Sequence, residues 1–228
     1  MLQEETVEKE TLQLLINLQN EPLLGSCRLV GGTSLALQIG HRKSTDLELF
    51  TTERFDFDET FAMLSDKYGL QATRTNPNTI IGFIEGIKID VIFHPFKWID
   101  NCIEESGLKL ASTKGVAAMK IHAIINSGQR PKDFVDIAFL STKYSYNEMK
   151  TLAIQKYPAY NSIMCDKAVN YFGDIDKGLF SQIKMTGEQE FSWSKIEKRL
   201  IRMTDRPDYI FHTSPLQVQN KKTRGIHI

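Results

Sequence analysis

Cysteine is scarce in this chain of 228 residues. Only Cys27, Cys102 and Cys165 occur, they are far apart, and no CxxC pair is present. An odd and dispersed set argues against both a disulfide framework and a cysteine-based zinc cluster. We therefore expect reduced thiols, most of them buried.

Net charge and long apolar runs are also lacking. Lys plus Arg and Asp plus Glu both number 28, so the formal net charge is zero and a general nucleic-acid binder is not indicated; any basic groove has to be local. The start, MLQEETVEKE, is acidic and polar rather than like a secretory signal, and no apolar run approaches membrane-spanning length. We expect a soluble, cytoplasmic protein with no membrane partner.

The order of hydrophobic patterns predicts the fold class. The chain is long enough for one large domain or two small ones. Strand patterns at residues 27–30, 79–85 and 87–93 alternate with helical patterns at 6–18, 34–39 and 57–68, and from residue 112 the periodicity is helical. We predict an α+β (α/β) fold: a small mixed sheet flanked by helices over residues 1–110, then an α-helical region over 111–228 whose last residues, 217–228, form a loose tail.

Residues 29–50, LVGGTSLALQIGHRKSTDLELF, contain a Gly-Gly pair between an apolar strand and a short helix. Gly31 and Gly32 allow the backbone to approach a phosphate, and the helix start attracts anions, with the hydroxyl of Thr33 or Ser34 as a further donor. A Gly-Gly turn alone is more often structural. The pattern therefore permits a phosphate site without requiring one.

Three acids follow on predicted strands. Asp46 and Glu48 are two residues apart, so they share one face while Leu47 and Leu49 face the core. Asp90 is a polar residue within the apolar strand 87–93. Most strand acids are simply solvated, but carboxylates on neighbouring strands also suit Mg²⁺ or Mn²⁺ in a phosphoryl or nucleotidyl transfer site.

Two later charges lie where helical periodicity places apolar side chains. Lys120 falls in the apolar stripe of its helix, and Asp136 has almost only apolar neighbours. They either form a buried ion pair between two helices or bind substrate, and the two roles can coexist. Asp133, in a first helical turn, is interpreted as a capping residue. Arg42, in the basic loop before the acids, either contacts phosphate or is solvated.

Three segments together resemble a known family: GGTSLALQIGHRKSTDLELF, IKIDVIF and AMKIHAIINSGQRPKDFVDIAFL. They are similar to the AbiEii type of nucleotidyltransferase, within the DNA-polymerase-β-like nucleotidyltransferase superfamily, over roughly residues 29–140. The resemblance implies a site built from metal ligands (Asp46, Glu48 and Asp90), nucleotide-binding residues (Gly31, Gly32, Thr33, Ser34, Arg42 and Lys120) and catalytic partners (Lys120 and Asp136).

The resemblance also implies a reaction and partners. The expected activity is metal-dependent transfer of a nucleoside monophosphate from an NTP to an acceptor hydroxyl, with tRNA as one acceptor. The expected setting is the toxin half of a toxin–antitoxin or phage-defence pair, with a separately encoded antitoxin. Because the family more usually has Asp where Glu48 stands, the alternative is a non-catalytic nucleotide-sensing or partner-binding module on the same fold.

Overall fold

The part of the chain that the structure describes contains one mixed sheet. This structure, a computed structural model, describes residues 1–217. The strands are β1 (Arg28–Leu29), β2 (Leu47–Thr51), β3 (Gln71–Asn76), β4 (Thr79–Ile84), β5 (Ile87–Phe93), β6 (Ile103–Glu105) and β7 (Leu108–Leu110). Their spatial order is β3-β4-β5-β2-β1-β7-β6, and the pairs β2–β5 and β1–β7 are parallel. Strand β2 therefore lies in the middle of the sheet.

Helices cover the sheet and make up the later part of the chain. They are α1 (Lys9–Gln19), α2 (Gly31–Ile39), α3 (Phe57–Tyr68), α4 (Thr113–Asn126), α5 (Pro131–Leu140), α6 (Tyr146–Lys156), α7 (Ser162–Val169) and α8 (Trp193–Asp205). This confirms the predicted α+β class, a mixed sheet flanked by helices. Every strand named above precedes residue 111, but the division into domains 1–110 and 111–228 stays a prediction.

The two faces of β2 meet different cores. Leu47 and Leu49 are fully buried in a core shared with α1 and α3, as the alternating pattern predicts. Phe50, on the opposite face, packs against a second core formed largely by α4, α5 and the later helices. Glu48 shares the face of Phe50. The face of the sheet that carries Glu48 is therefore turned toward the helical part of the chain.

Some predicted boundaries were wrong. The helix expected from residue 34 begins at Gly31, so the Gly-Gly pair forms its first turn rather than a separate loop. The predicted β4–β5 hairpin is confirmed, with Glu85 and Gly86 both at positive φ in its two-residue turn. Strands β3, β6 and β7 were missed. Strand β3 reads QATRTN and is polar except for Ala72, and β6 and β7 are only three residues long, so none of the three gives a clear alternating signal.

Three remaining expectations concern cysteines, membranes and the tail. All three cysteines are free thiols, and Cys27 and Cys165 are buried as predicted. Within residues 1–217, none of the helices combines the length and the apolar character needed to cross a bilayer. The expected loose tail falls almost entirely on residues 218–228, which lie outside the described residues.

Candidate active site

Glu48 and Asp90 are direct cross-strand partners in the parallel pair β2–β5, so both side chains lie on the same face of the sheet. Asp46 immediately precedes β2 and lines a narrow polar cleft together with Glu48. Lys88 donates a hydrogen bond of 2.8 Å to Asp90 Oδ2. In the described part of the chain, no three His, Cys, Asp or Glu side chains are gathered closely enough to hold a metal ion, so the three acids share a region without forming a closed cluster.

The carboxylate of Glu48 lies against Gly31. A Cβ atom at Gly31 would stand only 1.4 Å from Glu48 Oε2, and Gly31 has a φ of +66°. Burial raises the pKa of Glu48 above its ordinary value, although the nearby charges of Lys120 and Arg130 oppose the shift. The first glycine therefore leaves space for a carboxylate of the protein itself.

The second glycine leaves space for Arg42. A Cβ atom at Gly32 would lie 2.4 Å from Arg42 Nη2. The guanidinium is 2% exposed and holds Asp136 in a fork, with Nε to Oδ1 at 2.7 Å and Nη2 to Oδ2 at 2.9 Å. Arg42 is therefore not in the solvated loop that was one of its two predicted settings. Its charge is neutralised inside the protein, because helix α5 brings Asp136 against the loop.

Thr33 and Ser34 are buried in the first turns of α2. The Thr33 hydroxyl donates to the backbone carbonyl of Asp46, which fixes α2 to the segment that enters β2. The Ser34 hydroxyl donates to the carbonyl of Ala111 at 3.3 Å, on the side toward α4. Thr33 lines the polar cleft that contains Asp46 and Glu48. Ser34 lines neither this cleft nor the larger cavity beside it, so its hydroxyl is not placed as the predicted phosphate donor would be.

Asp136 is the centre of a buried charge network. Besides the Arg42 fork, it accepts from His41 Nε2 at 2.8 Å and lies 2.8 Å from Lys120 Nζ. Burial alone would raise the pKa of Asp136, but the charges of Arg42 and Lys120 and the hydrogen bonds from His41 and Arg42 together hold this pKa well below its ordinary value. Asp136 is consequently a weak base, and its contacts suit it to orienting the cations around it.

Lys120 bridges two carboxylates. Its Nζ lies 2.6 Å from Asp133 Oδ1 and 2.8 Å from Asp136 Oδ2. Burial lowers the pKa of Lys120, but the two carboxylates more than compensate, so its pKa is raised and the ammonium stays charged. An ammonium has three protons, so one is left over for a ligand. Asp133, interpreted from the sequence as a cap, is instead a buried partner of this lysine.

A cavity of about 300 Å³ opens beside this network. Glu48, Lys120, Arg130 and Asp133 line one end, and apolar and aromatic side chains line the remainder: Val30, Phe50, Ile92, His94, Met119, His122, Ala123 and Tyr157. The rings of His122 and Tyr157 stack with centroids 4.0 Å apart. Burial lowers the pKa of His94 to about 3, so this wall carries no charge from His94 at neutral pH. One space therefore joins a charged end to an aromatic wall.

Comparison with known proteins supports the fold. No family model matches the chain. The uncharacterized protein aq_aa25 of Aquifex aeolicus is 28% identical over 205 residues, which cover 85% of this chain and 96% of that protein. A nucleotidyltransferase candidate from Helicobacter pylori superposes with a TM-score of 0.54 at 13% identity, over 88% of this chain and 96% of its own. The chain has a nucleotidyltransferase-like fold. JHP933 of Helicobacter pylori superposes similarly, with a TM-score of 0.53, 13% identity and coverage of 89% and 93%.

Within this nucleotidyltransferase-like fold, the charged residues predicted from the sequence divide into three groups. Arg42, Lys120 and Asp136 form one network. Asp46 and Glu48 line the polar cleft beside that network, and Asp90 stands next to Glu48 in the sheet. Sequence reasoning missed the site positions of His41, Arg130, Lys132 and Asp133. One signal was available: Asp133 and Asp136 are three residues apart, so both lie on the same face of α5.

Proposed function

We propose that the protein is a nucleotidyltransferase that moves a nucleoside monophosphate from an NTP to an acceptor hydroxyl and releases pyrophosphate. The observation that carries this proposal is the cavity of about 300 Å³, in which an aromatic wall continues into an end lined by Glu48, Lys120, Arg130 and Asp133. A nucleotide has the same two parts, because a flat apolar base is joined to a charged phosphate chain. The volume lies at the small end of the range for ligand pockets.

The cations at the charged end have separate tasks. Lys120 has one proton not directed at a carboxylate, and it lines both the cavity and the polar cleft, so it can donate to a phosphate oxygen. The guanidinium of Arg130 is half exposed, lies 3.8 Å from Asp133 Oδ2 and adds a second donor. Asp136 keeps the Lys120 ammonium and the Arg42 guanidinium in place. Its lowered pKa favours this orienting role over that of a general base.

The acids fit a divalent metal by their chemistry. Asp46, Glu48 and Asp90 offer only oxygen donors, and Asp90 already accommodates a cation, because Lys88 Nζ lies 2.8 Å from both of its carboxylate oxygens. We propose that these three residues hold Mg²⁺ or Mn²⁺. A bound ion would neutralise phosphate charge and lower the pKa of the acceptor hydroxyl. Within the chain, half-buried Glu48 and buried Asp90 would supply their charge from neighbouring positions on one face of the sheet, where water screens it less than at the surface.

The acceptor and the biological setting are proposed on the resemblance alone. The segments around Gly31, Asp90 and Asp136 are similar to AbiEii-type nucleotidyltransferases, which supports an RNA acceptor such as tRNA. The same resemblance supports a cytoplasmic toxin that a separately encoded antitoxin protein restrains. The ion pair of Arg42 and Asp136, which joins two of the three resembling segments, is consistent with this assignment.

A second candidate is a nucleotide sensor without turnover. It is favoured by one observation: Lys88 is paired with Asp90, and the three acids are not gathered into a metal cluster within the described residues. A sensor would use the same cavity to bind an NTP and leave its bonds intact. The two candidates differ in whether label from the NTP becomes covalently attached to an acceptor.

The test is incubation of the purified protein with Mg²⁺, total RNA and each α-labelled NTP in turn. The proposal expects label in RNA, and it expects Asp46→Ala to abolish incorporation. The matched control is Asp66→Ala on the exposed side of α3, which should behave as wild type. If wild-type protein binds an NTP but never incorporates label, and Asp46→Ala leaves that binding unchanged, the sensor is favoured and the transferase is excluded.

A further inference from the structure

The carboxylate of Glu48 occupies the space that a side chain at position 31 would need. A Cβ atom built on Gly31 would lie 1.4 Å from Glu48 Oε2, 2.5 Å from Cδ and 3.3 Å from Oε1. These separations mean that the carboxylate fills the volume of the missing side chain. These atoms are the end of the Glu48 side chain, so a Cβ at position 31 would force the carboxylate to turn away from the first turn of α2.

Backbone pairing explains why the carboxylate reaches this point. Strand β1 pairs antiparallel with β2, and the next residue, Val30, donates its backbone N–H to the carbonyl of Glu48 at 2.8 Å. Helix α2 begins at the following residue, Gly31. The Glu48 side chain therefore rises from the sheet directly beside the first turn of α2.

We propose that Gly31 is a positioning residue whose missing side chain forms a socket for the Glu48 carboxylate, so that Gly31 and Glu48 are a matched pair. An aspartate at position 48 would be one methylene shorter and would reach less far into the socket. The catalytic consequence rests on the proposed function. The contact itself does not, since it concerns only the folded chain.

A simpler explanation is that Gly31 is needed only for its backbone conformation, because φ of +66° is strained for residues with a side chain. The chain contains a matched control for this explanation. Gly69, which ends α3, has the same φ of +66°, and a Cβ there would meet no heavy atom within 4 Å in the part of the chain that the structure describes. Gly69→Ala therefore measures the cost of the backbone strain without a collision.

The first experiment is a double-mutant cycle on the metal-free protein, followed by thermal unfolding. We expect Gly31→Ala to lower Tm clearly more than Gly69→Ala does. This excess loss of Tm should disappear when both variants also carry Glu48→Ala. If Gly31→Ala does not fold, recovery of folding in Gly31→Ala/Glu48→Ala supports the socket. Equal effects of the two glycine substitutions, or strict additivity with Glu48→Ala, would overturn it.

The second experiment measures Mn²⁺ binding by calorimetry. We expect Gly31→Ala to weaken Mn²⁺ binding on the order of tenfold, as for other residues that orient a ligand, and we expect Gly31→Ala/Glu48→Asp to bind more tightly than Gly31→Ala. Gly69→Ala should match wild type. Lack of rescue by Glu48→Asp contradicts the matched pair. If wild type transfers no nucleotide, the proposed function fails, while the unfolding cycle still decides whether the socket exists.

Discussion

Glu48 and Asp90 are directly paired across the parallel strands β2 and β5, yet their carboxylates have different neighbours. Glu48 extends to Gly31 at the start of α2, whereas Asp90 is held by Lys88 two residues away on the same strand. The sheet therefore sets which acids share a face, and local side-chain contacts set where each carboxylate lies. This difference leads to predictions for each of the two acids.

Removing Lys88 should favour cation binding at Asp90. The Lys88 side chain is 38% exposed, so its ion pair is a weak competitor, on the order of 1 kcal/mol or less. We expect Lys88→Gln to tighten Mn²⁺ binding by up to about fivefold, measured by calorimetry. Lys67→Gln, which removes an exposed lysine paired with Glu21, is the control. Unchanged or weaker Mn²⁺ binding by Lys88→Gln would show that Asp90 does not contribute to a cation site.

Glu48→Gln should stabilise the metal-free protein at neutral pH. Burial raises the pKa of Glu48, so the folded state holds its proton to higher pH than the unfolded state does, and folding is penalised as pH rises above the ordinary carboxyl value. The gain in Tm over wild type should therefore grow with pH and vanish in acid. Glu53→Gln at an exposed position is the control. A lower Tm for Glu48→Gln at neutral pH would contradict the assigned shift.

Asp136→Asn should have the opposite pH dependence. Arg42 and Lys120 hold the pKa of Asp136 in the folded protein far below its ordinary value, which applies in the unfolded chain. The ionised carboxylate therefore stabilises the fold fully at any pH above that ordinary value. This stabilisation is lost as the pH falls toward the folded-state pKa. We expect a loss of about 3–5 kcal/mol at neutral pH, measured by denaturant unfolding, that shrinks on acidification. A loss that is independent of pH would contradict the network.

Lys120→Met should separate ion pairing from substrate binding. Removing one donor aimed at transition-state charge typically costs about 10²–10³ in turnover, and we expect a loss of that order in nucleotide transfer. The companion variant Lys120→Met/Asp133→Asn removes the uncompensated charge of Asp133 and should keep the fold, as judged by circular dichroism. Activity within threefold of wild type in either folded variant would exclude contact between Lys120 and substrate.

The sequence predicted the parts of the site that depend on strand periodicity. Alternation along TDLELF put Leu47 and Leu49 in the core and Glu48 on the opposite face, and the structure agrees. The apolar surroundings of Lys120 and Asp136 predicted burial with either an ion pair or a substrate-binding role, and the structure contains the buried ion pair. Both inferences succeed because each uses a repeat that the local backbone alone imposes.

Contacts between distant segments could not be predicted in this way. Arg42 lies in a loop that is polar in sequence, and only the packing of α5 against that loop buries it beside Asp136. Gly31 and Gly32 looked like a phosphate turn, but the space that they leave is filled by Glu48 and Arg42, which come from later in the chain. Periodicity within one segment holds no information about which distant side chain occupies such a space.

The most direct test of nucleotidyl transfer compares one NTP labelled on its α-phosphate with the same NTP labelled on its γ-phosphate, in the presence of Mg²⁺ and RNA. Transfer of a nucleoside monophosphate predicts that wild-type protein attaches the α-label to RNA and releases the γ-label as pyrophosphate. The Asp46→Ala variant should do neither. Attachment of the γ-label, or attachment of neither label by a protein that binds the NTP, would contradict the account.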